Sequence, residues 1–166
     1  LYTVITKRSG GGAHSALLVN GSEAVLFDPA GSFKLQAMPE RGDVLYGANP
    51  RAMNAYVDYH ARDTHDVRAQ TLLVSPAVAE QILRAVKTNG AVPKAHCANS
   101  ISRILSAAGF SSIGRTMFPN ALAADFASLG GVTERGFTDQ TVDKSHGVRF
   151  IDKDDTAALA AAGLAP

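Results

Sequence analysis

His14-Ser15-Ala16-Leu17-Leu18-Val19, then Asn20-Gly21-Ser22-Glu23, then Ala24-Val25-Leu26-Phe27-Asp28 is the stretch on which the fold turns. Two apolar, β-rich runs flank Asn-Gly, the strongest short-range signal for a β-hairpin, because both residues tolerate the positive φ of a tight turn. A histidine opens the first arm and an aspartate closes the second. With the turn centred on Gly21, residues whose numbers add to about 42 face each other across the strands, which sets His14 opposite Asp28 with Cβ atoms about 4.5–5.5 Å apart. A slip of one residue would bring Pro29 there instead.

Upstream, Leu1 to Thr6 alternates as a strand, and Ser9-Gly10-Gly11-Gly12 reads as a flexible hinge. No lysine and helix start follow it as a phosphate-binding loop requires. Its missing side chains have a second reading, letting a substrate backbone approach His14. Downstream, Pro29 to Pro50 carries prolines and glycines with little periodicity and reads as a long irregular connection, expected to wall a substrate cleft. Tyr56 to His60 and Asp66 to Val74 read as strands around a polar turn, Ala61 to His65. Ser75-Pro76 supplies a cap and a first-turn proline to a helix from about Pro76 to Thr88. A second helix is expected from Cys97 to Ala108, with Ile101, Ile104, Leu105 and Ala108 on one face and Gly109 ending it. A third runs from about Pro119 to Leu129, and strand-like pieces from Gly131 precede an Ala-rich end. The sum is an α+β fold, an antiparallel sheet with the Cys97 helix packed on it, as one domain over residues 1–166.

Composition narrows the function. The 166 residues suffice for one domain with a core of its own, and 46% hydrophobic with 19% charged residues is the balance of a globule rather than a disordered chain. A net charge of +1, with Lys and Arg scattered, leaves no electrostatic footprint for nucleic acid or an anionic membrane. No apolar run approaches the roughly 18 residues of a membrane span. The sequence opens on Leu1 rather than Met, which reads as a trimmed or matured form from which any targeting segment has been removed.

The single cysteine, Cys97, forms no internal disulfide and no cysteine zinc site. At a helix N-terminus, the unpaired backbone N–H groups and the dipole favour its thiolate, which is how a nucleophilic cysteine is made. The other reading is a small buried apolar residue. His96 points away from its neighbour and reads as a surface residue. Asp58, His60, Asp63, His65 and Asp66 invite a metal reading, but a charged hairpin tip is usually just solvated, and neither metal nor cofactor is expected. His146 reads as exposed in a tail loop, and Tyr56 and Tyr59 have a cleft-lining reading but read first as half-buried strand packing.

A nucleophilic cysteine needs a base within reach and a third group to orient the base. His14 opening a strand, Asp28 on the next strand and Cys97 heading a later helix resemble, in order and element type, the circularly permuted members of the papain-like superfamily. These are the NlpC-type amidases and peptidases and their relatives such as lecithin:retinol acyltransferase. The resemblance covers about Ala13 to Gly109. It departs from the family where Asp28-Pro29 stands at a position that is often histidine or another polar group, and no side chain is nominated for an oxyanion hole. The resemblance implies a cysteine hydrolase with Cys97 as nucleophile, His14 as base and Asp28 as orienter, acting on a peptide, peptidoglycan-like or acyl substrate. With the trimmed start it also implies a bacterial periplasm or cell envelope. Acyl transfer or thioester cleavage by the same three residues, and a non-catalytic binding domain on the same scaffold, are the competing readings.

Overall fold

The computed structural model describes residues 1–139. The Ala-rich end and His146 lie outside the described residues. In chain order the elements are β1 (Tyr2–Thr6), β2 (Gly12–Asn20), β3 (Ala24–Phe27), β4 (Glu40–Arg41), β5 (Val44–Tyr46), α1 (Pro50–His60), β6 (His65–Thr71), α2 (Pro76–Asn89), α3 (Cys97–Ala107), α4 (Pro119–Ala127) and β7 (Thr133–Thr138). All seven strands join one antiparallel sheet in the order β4-β5-β3-β2-β1-β6-β7. The α+β class and the packing of the Cys97 helix on the sheet stand as the sequence implies. No helix among the described residues is long and apolar enough to cross a membrane.

Alternation along the central strands explains their composition. Leu17, Val19, Val25, Phe27 and Val44 point to one face, where they pack with Ile82 and Val86 of α2, Ile101 and Leu105 of α3, and Leu122 and Phe126 of α4. Ala16, Leu26 and Leu45 point to the other, against Phe33, Met38, and Ala52, Met53 and Tyr56 of α1. With both faces covered, β3 reads as an unbroken apolar run.

The hairpin forms, but its register differs from the expected one. Leu17 pairs with Phe27, Leu18 with Leu26, Val19 with Val25 and Asn20 with Ala24. Gly21, Ser22 and Glu23 make a three-residue loop, anchored on α2 because Ser22 donates its backbone N–H and hydroxyl to the Glu80 carboxylate. The partner of Ala16 is thus the position of Asp28, two residues from facing His14. Since side chains repeat every second residue, a shift of two keeps both groups on one face as a diagonal pair.

Three further expectations are corrected. Tyr56–His60 is the end of helix α1, not a strand. Asn49 Oδ1 accepts from Ala52 N–H at 3.0 Å, Pro50 sits in the first turn, and Ala52, Met53, Tyr56 and Val57 form a buried helical stripe. The Pro29–Pro50 connection contains the β4–β5 hairpin, whose two loop residues Gly42 and Asp43 both have positive φ (57° and 64°), as a tight primed turn requires. Asp43 is held there by accepting from the N–H groups of Ala30 and Val92, each at 2.9 Å. The glycine segment is a pinned turn rather than a hinge: Thr6 N–H reaches Gly11 O, Gly10 N–H reaches Thr6 O, and Asn120 of α4 donates to Gly10 O.

A Cβ on Gly12 would lie 2.8 Å from the backbone N of Asn120 and 2.8 Å from Pro119 Cβ, so this glycine serves the docking of α4, not the approach of a substrate. Gly12→Ala is expected to cost about 1–3 kcal/mol through that overlap and to lower the thermal midpoint followed by circular dichroism. An unchanged midpoint would mean that α4 does not rest on this turn.

Candidate active site

Cys97 enters the site through a sharp turn. After α2 ends at Asn89, Ala95 takes a positive φ of 67°, and His96 N–H closes on Pro93 O at 3.2 Å before α3 begins. His96, half-buried at the N-cap, makes no side-chain cap, so the first-turn donors of α3 are not consumed by it. The thiol accepts from the backbone N–H groups of Ser15 and Ala98 and hydrogen-bonds the His14 imidazole. Cys97 belongs to the face that α3 covers and His14 to the opposite one. They meet because β2 pairs with β3 only from Leu17 onward, leaving the sheet open beside His14 and Ser15.

His14 Nε2 lies 2.6 Å from Asp28 Oδ1. With that nitrogen committed to the carboxylate, Nδ1 is left for the sulfur. The carboxylate, 4% exposed, sits just past β3, where its own N–H bonds Asp43 O at 2.8 Å. The same Oδ1 accepts from the Tyr56 hydroxyl at 3.0 Å. Gly31 follows closely, and a Cβ there would lie 1.8 Å from Asp28 Oδ2, so only glycine leaves room for the carboxylate.

Burial alone would lower the His14 pKa, but hydrogen bonds to Asp28 and Cys97 and the negative charge on both outweigh it and raise the value to about 9. For Cys97, burial pushes the thiol up, and the hydrogen bond and charge of His14, with the Ser15 and Ala98 N–H groups, bring it below the ordinary value. The two shifts oppose in sign, as they must when a thiol gives its proton to an imidazole. The Tyr56 phenol is held protonated: burial and then the Asp28 charge push its pKa well up.

His60 stands 5.9 Å from His14, ring planes 14° apart. Burial first of all lowers its pKa to about 4, so near neutral pH it carries no charge. Its Nδ1 donates to Tyr56 O at 2.9 Å, since a carbonyl only accepts. A cavity of about 350 Å³ opens beside His14, lined by Ala30, Gly31, Ser32, Tyr59, His60 and Arg62 among others. Ala30 to Ser32 are the part of Pro29–Pro50 that lines this cavity, of which Cys97 is not a lining residue, while Phe33 and Met38 turn into the core. A larger apolar cavity, about 670 Å³, lies between β2, α2 and α3 and touches none of His14, Asp28 and Cys97. His65 reaches the cleft and pairs through Nδ1 with the Thr64 hydroxyl at 2.8 Å. Among the described residues no three His, Cys, Asp or Glu gather as metal ligands.

The structure therefore brings Cys97, His14 and Asp28 together and adds two residues the sequence reading assigned to packing or solvent, Tyr56 and His60. Their signal was present: Asn49-Pro50 is a helix start of the same kind as Ser75-Pro76, and Tyr56 and His60 then fall one turn apart. Comparison with protein-family models, with curated proteins and with solved structures returns no match to this chain.

Cys97 is expected to react with iodoacetamide at pH 6 faster than free cysteine, whose pKa is about 8.5. In His14→Ala the larger lowering influence is gone and burial is opposed only by the Ser15 and Ala98 N–H groups, so the pH midpoint of alkylation should move up. Equal rates for Cys97 and free cysteine at pH 6 would contradict the proton transfer.

Proposed function

We propose that this chain is a cysteine hydrolase of the circularly permuted papain-like, NlpC-type class, cleaving an amide bond in a peptide or peptidoglycan-like substrate. The observation that carries the reading is the position of His14, bonded to Asp28 at 2.6 Å on one side and to Cys97 on the other. A histidine paired only with a carboxylate is a common structural feature. One that also shares a proton with a thiol whose pKa it lowers is equipped for nucleophilic catalysis. The order of the three residues, a strand-opening histidine, an aspartate after the next strand and a helix-heading cysteine, supports the permuted arrangement.

The reaction follows from these groups. The Cys97 thiolate attacks the scissile carbonyl carbon, and the carbonyl π electrons move onto oxygen, which develops its charge beside the first-turn N–H groups of α3, that of Cys97 itself among them. As the tetrahedral species collapses, the C–N bond breaks and the His14 imidazolium gives its proton to the leaving amine. An acyl thioester on Cys97 and a neutral His14 remain. His14 then takes a proton from water, the hydroxide adds to the thioester carbonyl, and collapse releases the acid and the Cys97 thiolate while His14 is again protonated. Asp28 holds the ring and balances its charge through both halves. An amine or hydroxyl in place of water would make the same thioester an acyl-transfer intermediate.

Intact-mass spectrometry after acid quench, over a panel of peptide amides and peptidoglycan fragments, is the direct test. A substrate is expected to leave an acyl adduct on Cys97. Cys97→Ala should abolish turnover with the fold retained, since alanine is a good helix former. Asp28→Asn should lower turnover by about 10²- to 10⁴-fold yet leave it measurable, because the amide still orients the ring without balancing its charge. Full turnover by Cys97→Ala on a verified substrate would overturn the proposal.

A further inference from the structure

The carboxylate that orients His14 is itself oriented, and by a helix on the far side of the sheet from α3. Asp28 Oδ1 takes two donors, His14 Nε2 at 2.6 Å and the Tyr56 hydroxyl at 3.0 Å. Tyr56 has no exposed surface, and its ring is fixed by edge contacts with Tyr2 and Phe33 at centroid distances of 5.7 and 5.2 Å. A phenol fully buried in such packing costs free energy unless its hydroxyl finds a partner, and Asp28 is that partner.

We propose that Tyr56 is a positioning residue for the Cys97–His14 pair, acting through the one Asp28 oxygen it shares with the imidazole. A lone carboxylate can rotate and present either oxygen. Gly31 leaves room for Oδ2, and Tyr56, donating to Oδ1, favours the rotamer that aims this oxygen at His14. The charged and titratable groups around this point are Asp28 itself, His14 on β2, Cys97 heading α3, His60 one turn along α1 with Arg62 beyond it, and Tyr2 on β1. Only the carboxylate and the thiolate are negative there. His60, held neutral, puts no second positive charge beside the imidazolium. Loosening Asp28 weakens the bond that raises His14, so the imidazolium becomes more acidic and the thiolate it stabilises less abundant at low pH.

The inference rests on the reading of Cys97 as a nucleophile, and its test needs no substrate. Tyr56→Phe keeps the ring and its packing and removes only the hydroxyl. The fold should be retained with a lowered thermal midpoint, because the buried carboxylate loses one donor, while the pH midpoint of iodoacetamide alkylation at Cys97 should rise by about one unit, read as a loss of about tenfold in rate at pH 6. In an Asp28→Asn background the same substitution should add nothing, because the carboxylate through which Tyr56 acts is gone. A midpoint that is unchanged in Tyr56→Phe while Cys97 remains activated overturns this inference alone. An ordinary thiol in the unsubstituted chain overturns it together with the hydrolase reading. Should Tyr56→Phe fail to fold, the Tyr56 hydroxyl proton of the unsubstituted chain decides. It should exchange slowly and resonate downfield by NMR and should move when Asp28→Asn is made, whereas fast exchange would overturn the inference.

Discussion

A buried carboxylate is the constraint that the site depends on. Asp28 is almost wholly removed from water, and an ionised carboxylate in that position is tolerated only if donors replace its hydration. The fold supplies them from elements distant in sequence: a ring nitrogen from the start of β2 and a phenol from α1. Gly31 makes room where a side chain would collide. Satisfying Asp28 is what fixes His14, and in the proposed reading a fixed, charge-balanced His14 draws the proton from Cys97. Removing one partner from such a buried pair typically costs about 3–5 kcal/mol, because the other charge is left uncompensated.

The sheet explains how a thiol on one side meets an imidazole on the other. β2 is shared: its first half pairs with β1 and its second with β3. Where β3 turns away at Asp28, the edge of β2 beside Ser15 is unpaired, and the N-terminus of α3 fills the gap with a sulfur that accepts the Ser15 N–H. Backbone pairing that would otherwise be lost becomes a contact with the thiol. Covering the sheet on both faces gives this junction its burial, against which the hydrogen bonds and charges among Asp28, His14 and Cys97 set the opposing pKa shifts.

Much of this was legible in the sequence, and the misses have physical causes. Asn20-Gly21 marks the hairpin, but the capture of Ser22 by Glu80, a residue on a helix far along the chain, moves the register by two, which local sequence does not encode. The pairing of His14 with Asp28 survives because a shift of two preserves the face. Tyr56 and His60 were misread because alternation in Tyr56-Val57-Asp58-Tyr59 resembles a strand, while Asn49-Pro50 and the stripe of Ala52, Met53, Tyr56 and Val57 argue for a helix over a longer window. The Gly42-Asp43 turn escaped notice because its flanking strands are only two and three residues long. The close approach of Gly31 to Asp28 is a tertiary fact with no local signature.

The central claim is that, near neutral pH, the proton shared by Cys97 and His14 resides on the imidazole. Nitrogen-15 NMR of histidine-labelled protein at pH 7.5 reads this directly. With its pKa raised to about 9, His14 should show both ring nitrogens protonated and should lose the imidazolium signature only as the pH rises through that value. A His14 that is neutral at pH 7.5 and titrates near 6.5, as an unperturbed histidine does, would mean that Cys97 is a buried thiol beside an ordinary ring, and the account would fail.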